Sequence, residues 1–159
     1  MATPVRPGRR AFSMLEIVIT LLIASTLFAI AAPRYVVSLE RFRAESAARR
    51  VVGDLEATRK RARATGVAKQ IAFDLTKDAY TVQGITVAQN VTVKLADAPY
   101  LAGLDSAVCD NPIDASDAAT DIVFDAYGVP DSAGTIVIRA GGITETVVVD
   151  PYSGRSTIQ

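Results

Sequence analysis

The chain has 159 residues, which suits one modest domain plus an anchoring segment. It contains no histidine, which removes the commonest general base and metal ligand, and its single cysteine, Cys109, excludes an internal disulfide. The net charge of zero hides an asymmetry: residues 1–69 carry 13 basic and 5 acidic groups, residues 70–159 carry 4 and 12. A basic rod joined to an acidic head suits association between copies, or simply two solvated surfaces.

The first predicted element is a helix. Residues 1–11 hold Arg6, Arg9 and Arg10, and an apolar run follows, ending at Pro33. From Ile17 to Ala32 it is broken only by Thr20, Ser25 and Thr26. A helix of those residues is about 24 Å long, short of the ~30 Å hydrocarbon core; extended back to Phe12 it reaches about 31 Å and spans. A spanning helix therefore takes Glu16 into the membrane region, where insertion scales charge an acid roughly 2.5–3.5 kcal/mol at the centre. A carboxylate in that position calls for a role.

Four readings of this segment arise. A secretory signal peptide fits the basic start and the small residues of Ala29-Ile30-Ala31, but not Glu16 or the unbroken helix that follows. Arg9-Arg10-Ala11-Phe12 matches the start of a twin-arginine signal. A plain transmembrane anchor is the third. The fourth rests on several residues together: a basic leader of 11 residues, the junction Ala11-Phe12 with an aromatic residue as the new terminus, Glu16 as fifth mature residue, and Pro33 as twenty-second. This pattern resembles the leader of type IV prepilins and type II secretion pseudopilins. It departs from them at Ala11, where the family usually has glycine.

The resemblance implies cleavage after Ala11 by a prepilin peptidase that reads Arg9 and Arg10, and N-methylation of Phe12. It implies that Glu16 sets assembly register by meeting the Phe12 amine of a neighbouring subunit; within one chain the two residues also lie one turn apart. It further implies partnership with other pilins or pseudopilins and with an inner-membrane assembly platform. The protein is then a single-pass protein of the bacterial inner membrane, its C-terminal head in the periplasm or outside the cytoplasm. Arginines flank the apolar run on both sides, so the positive-inside rule alone does not orient it.

Beyond Pro33, which should kink or locally unwind the helix, residues 34–66 continue it. Phe42, Ala48, Val52, Leu55 and Ala62 give an apolar stripe, with charged residues elsewhere. Glu45–Arg49 and Glu56–Lys60 are favourable pairs with the acid first. Gly66 is a natural stop, and basic residues suit the negative helix end. From Phe12 to Thr65 the helix would measure about 80 Å. The cluster Arg59, Lys60, Arg61 and Arg63 raises nucleic-acid contact, but lacks interleaved aromatics for stacking, so a solvated helix end is the default.

Residues 67–159 read as a β-rich head. Val67–Asp74 and Ala79–Gln83 are strands around the turn Thr76-Lys77-Asp78, and Ile85–Leu95 alternates as a half-buried strand. Pro99 to Ala119 is small, acidic and turn-rich and reads as a long loop; Ile122–Phe124 returns to strand. Thr135–Ala140 and Ile143–Val149 form a hairpin, with Gly141-Gly142 supplying positive φ. Asp150 to Gly154 is a further turn before a last strand, Arg155–Ile158. One long helix followed by antiparallel strands is α+β, pilin-like by resemblance. The division is leader 1–11, transmembrane and assembly helix 12–33, amphipathic continuation 34–66 and head 67–159.

Short motifs of the head resemble the minor pseudopilins related to secretion protein H: Ala62-Arg63-Ala64-Thr65-Gly66 with the strand Gln70 to Asp74, Asp125-Ala126-Tyr127-Gly128, and Ser153-Gly154-Arg155. In the acidic loop, Asp110, Asp114 and Asp117 are weak calcium candidates whose spacing matches no EF-hand; no cofactor is expected. No catalytic set is visible, so an enzyme is not expected. The expected role is structural, as a minor pseudopilin of a type II secretion system. The alternatives are a minor type IV pilin for pilus priming or DNA uptake, and a membrane-anchored ligand-binding domain that never polymerises.

Overall fold

The computed structural model describes residues 12–86, 89–110 and 118–159. It divides into two compact units, one reaching to Val36 and one spanning Val37–Gln159. The helix α1, Met14–Thr65, contributes to both and contains Pro33 within its helical run. It ends where expected: Gly66 takes φ +64° and donates its N–H to the Ala62 carbonyl at 2.9 Å.

In the second unit α1 buries Ala44, Ala47, Ala48, Val51, Leu55, Thr58 and Ala62. These recur at three-, four- and seven-residue steps, one face of a helix. The expected stripe is corrected at one end: Phe42 is 66% exposed, and alanines line the core side instead. The buried face there is built of small side chains, Ala44, Ala47 and Ala48, which join the core shared with the strands.

The described residues hold nine strands. β1 (Lys69–Asp74), β2 (Ala79–Thr86), β3 (Gln89–Lys94) and β6 (Asp121–Phe124) form an antiparallel sheet in the order β3-β2-β1-β6. β4 (Gly103–Asp110), β5 (Ala118–Ala119), β7 (Ala133–Ala140), β8 (Ile143–Val149) and β9 (Ser156–Ile158) form a second, in the order β5-β4-β7-β8-β9. Alternation aims Ile71, Phe73, Tyr80, Val82, Ile122 and Phe124 of the first sheet into one core with Ile136, Ile138, Val147 and Val149 of the second. The architecture is α+β.

Two expectations change. The run read as one strand over Ile85–Leu95 belongs partly to the end of β2 and partly to β3, with an irregular register between Val82 and Thr86. The stretch read as a long loop contains β4, paired along its whole length with β7. Gly103, Asp105, Ser106 and Ala107 are poor strand formers, and a bulge at Asp105 breaks the alternation, so Leu104 and Ala107 are both buried three residues apart. Pairing with the apolar β7 overrides local preference.

The β7–β8 hairpin has the predicted two-residue turn, Ala140 pairing with Ile143. Only Gly141 takes positive φ, +57°; the Gly142 N–H donates instead to Glu40 Oε2 on α1 at 3.2 Å.

Candidate assembly site

The helix start is built by Ser13. Its Oγ accepts the Leu15 N–H at 3.3 Å, and its carbonyl accepts Glu16 N–H at 3.0 Å and Ile17 N–H at 3.2 Å. Ser13 is thus the N-cap and Glu16 the third helical residue, the S-x-x-E spacing of a capping box. Phe12 and Ile17 hold the two positions of a hydrophobic staple. Glu16 also lies where the helix dipole favours an anion. The sequence signal for this cap is Ser13-Met14-Leu15-Glu16, in which Glu16 is also the carboxylate expected to set register.

From Met14 to Ile30 the large apolar side chains are exposed around the helix, between 44% and 81%. The segment is long and apolar enough to cross a membrane. Its hydroxyls suit that setting: Thr20, Ser25 and Thr26 donate back to the carbonyls of Ile17, Leu22 and Ile23 at 2.8–2.9 Å. Glu16 is the only charged residue between Met14 and Pro33.

Arg9, Arg10 and Ala11 lie outside the described residues, as do Asp114 and Asp117. Asp110 ends β4 and is exposed. Among the described residues no group of three or more potential ligands gathers for a metal.

The basic cluster at the end of α1 divides. Arg59 Nε donates to the Gly128 carbonyl at 3.3 Å, and Arg63 Nε to the Tyr127 carbonyl at 2.5 Å. Both arginines hold the loop after β6 against the helix. Glu56 pairs with Arg59 at 3.4 Å rather than with Lys60, whereas the expected Glu45–Arg49 pair forms at 2.5 Å. Lys60 is exposed and Arg61 half-buried.

No protein-family model and no curated protein matches the sequence. Among solved structures, the type IV minor pilin FimU of Pseudomonas aeruginosa matches with a TM-score of 0.50 and 17% identity, over 76% of this chain and 90% of that one. The chain has the fold of a type IV pilin. At that identity the likeness concerns the fold. The apolar helix would be unstable in water as an exposed surface, and needs either lipid or other helices around it.

Proposed function

We propose that this chain is a structural subunit of a pilin-type fibre, inserted in the membrane through α1 and incorporated after cleavage between Ala11 and Phe12 and N-methylation of Phe12. The observation that carries the reading is the exposed apolar stretch of α1 from Met14 to Ile30, whose sole charge sits in the first turn, at Glu16. A bilayer covers such a surface before assembly and neighbouring helices cover it afterwards. The carboxylate is tolerable once it faces the amine of Phe12, in the same chain or in the next subunit, and that pairing gives a fixed register. The prepilin peptidase, other subunits and an inner-membrane platform are the partners this requires.

Two machines fit. The head motifs support a minor pseudopilin of type II secretion. The likeness to a minor pilin supports a minor type IV pilin instead. Deleting the gene in the native host separates them: loss of protein export with pili intact supports secretion, and loss of pili with export intact supports the pilus.

The first measurement is the mature N-terminus by mass spectrometry on native membranes. A peptide beginning with N-methyl-Phe12 is expected. An intact Met1, or a start near Ala31, would overturn the fibre reading. Glu16→Val should then leave membrane insertion intact and abolish incorporation into fibres.

A further inference from the structure

The exposed apolar surface of α1 does not stop at Pro33. Beyond it Tyr35 is 70% exposed and Val36 is 51% exposed, within the range of the side chains from Met14 to Ile30. Arg34, beside them, is exposed too. The backbone stays helical through Pro33, and the first compact unit reaches Val36. Two charges therefore bracket the run: Glu16 at its start and Arg34 near its end, about 27 Å apart along the helix. Residues 17–36 make about 30 Å of helix, the thickness of the hydrocarbon core.

Two placements in a bilayer compete. A span over residues 12–32 sinks Glu16 about 6 Å into hydrocarbon and leaves Tyr35 and Val36 outside it. A span over residues 17–36 leaves Glu16 at one boundary and sets Arg34 about 3 Å inside the other. These two offences are unequal. Arginine lays its long stem along apolar surface while its guanidinium reaches the headgroups, and the short glutamate stem has no such reach. Tyrosine suits the same boundary, with an apolar ring and a hydroxyl that prefers water. Guanidinium also matches phosphate in shape and charge, and phosphate is what phospholipid headgroups present there.

We infer that Arg34 and Tyr35 anchor the unassembled subunit to phospholipid headgroups, so that the bilayer covers residues 17–36 and Glu16 lies at the opposite headgroup boundary. Lipid is the occupant because these side chains continue, on one unbroken helix, the exposed apolar surface that is long enough to cross a membrane. Glu16 then keeps its hydration while the subunit waits in the bilayer. It meets apolar surroundings only when other helices close around α1, so its pairing with the Phe12 amine is a requirement of assembly rather than of insertion. The inference rests on the membrane-inserted reading proposed above and fixes its depth.

The chain has no tryptophan, so a single introduced one reports depth without background. Leu22→Trp, Leu27→Trp and Tyr35→Trp are made separately in the full-length chain. Each is reconstituted in phosphatidylethanolamine–phosphatidylglycerol vesicles whose acyl chains carry bromine either near the glycerol or near the methyl end. Leu22 and Leu27 are equally exposed, at 63%, so both sites accept an indole. The middle of residues 17–36 falls beside Leu27, and that of residues 12–32 falls at Leu22. Deep bromine is expected to quench Leu27→Trp more strongly than Leu22→Trp, and the reverse order would overturn the inference. Tyr35→Trp should be quenched by shallow bromine only; an unquenched, water-exposed indole there would also overturn it. Adding Arg34→Leu to Tyr35→Trp should shift the emission to the blue and the quenching to deep bromine, whereas Arg34→Lys should change neither. No shift with Arg34→Leu would remove Arg34 as the anchor. Quenching at none of the three positions would overturn the membrane reading as well. If N-methyl-Phe12 is found in native membranes and Leu22→Trp is the deepest, the depth fails while the fibre reading stands.

Discussion

The Tyr80 hydroxyl on β2 donates to Asp54 Oδ2 on α1 at 2.6 Å, and Arg50 Nε donates to the same oxygen at 3.0 Å. Tyr80 is buried, so its hydroxyl would be costly without that acceptor. Burial, with Asp54 beside it, pushes the phenol well above its ordinary value. One carboxylate therefore fastens the helix to the first sheet. Tyr80→Phe should cost about 1 kcal/mol, the net worth of one hydrogen bond. Asp54→Ala should cost more, about 1–3 kcal/mol, because it strands the buried hydroxyl. Denaturant unfolding of the detergent-solubilised chain checks the order, and an equal loss from both changes would contradict it.

The tip of the β7–β8 hairpin lies against Glu40. Gly141 has φ +57°, and a side chain there would fall on the Glu40 carboxylate. Gly141→Ala should destabilise by about 1–2 kcal/mol from the backbone conformation alone. Displacing Glu40 adds the loss of its bond to Gly142. In a double-mutant cycle with Glu40→Ala, the alanine at 141 should cost less than in the wild type. Additive costs would show that Glu40 is not what the turn rests on.

Ser13→Ala removes the side-chain acceptor at the helix start and should fray the first turn by about 1 kcal/mol. Hydrogen exchange of the mature chain in micelles should accelerate at Leu15 and leave the turns beyond Thr20 unchanged. Ser13→Asp should restore protection, since aspartate caps comparably well. Acceleration spread along the helix would contradict a local cap.

Much of this was legible in the residues. The period of 3.6 through Thr65, the glycine at 66 and the alternation of β7 and β8 each agree with the fold at their own level. β4 was hidden because its strand character lies in its partner: a bulge at Asp105 and a run of small residues erase the period that a reader needs. On α1 the phenyl ring of Phe42 carries more hydrophobic signal than its alanine neighbours, yet Ala44, Ala47 and Ala48 are the side chains buried there. Arg59 and Arg63 read as a charge cluster, and only the chain's return at residues 125–130 gives them carbonyls to hold.

Acid should weaken the head through its turn aspartates. Lys77 and Thr76 hydrogen bonds hold the Asp74 carboxyl down to about 2 from an ordinary 3.8, and the Ser153 and Tyr152 N–H groups lower Asp150. The unfolded chain therefore takes up these protons first. The contribution is complete above the unfolded value and is lost as pH falls through the folded one, so stability rises with pH across about 2 to 4. Denaturation midpoints measured through that window should fall on acidification, and fall less steeply in Asp74→Asn. An unchanged slope would remove Asp74 from the effect.

Cys109 turns the fastening of the head into a rate. Its side chain is fully buried on β4. Burial, with the carboxylates of Asp121, Asp131 and Asp110, pushes the thiol up to about 12. At neutral pH the folded protein thus offers neither access nor thiolate, and a disulfide reagent should react only through opened molecules. If opening is fast relative to labelling, the rate follows the open population. Tyr80→Phe, at about 1 kcal/mol, should then speed labelling about fivefold. Tyr152→Ala, at an exposed turn position, should leave the rate unchanged. Rapid labelling of the wild type at neutral pH would show that the sheet around β4 opens independently of the contact between Tyr80 and Asp54.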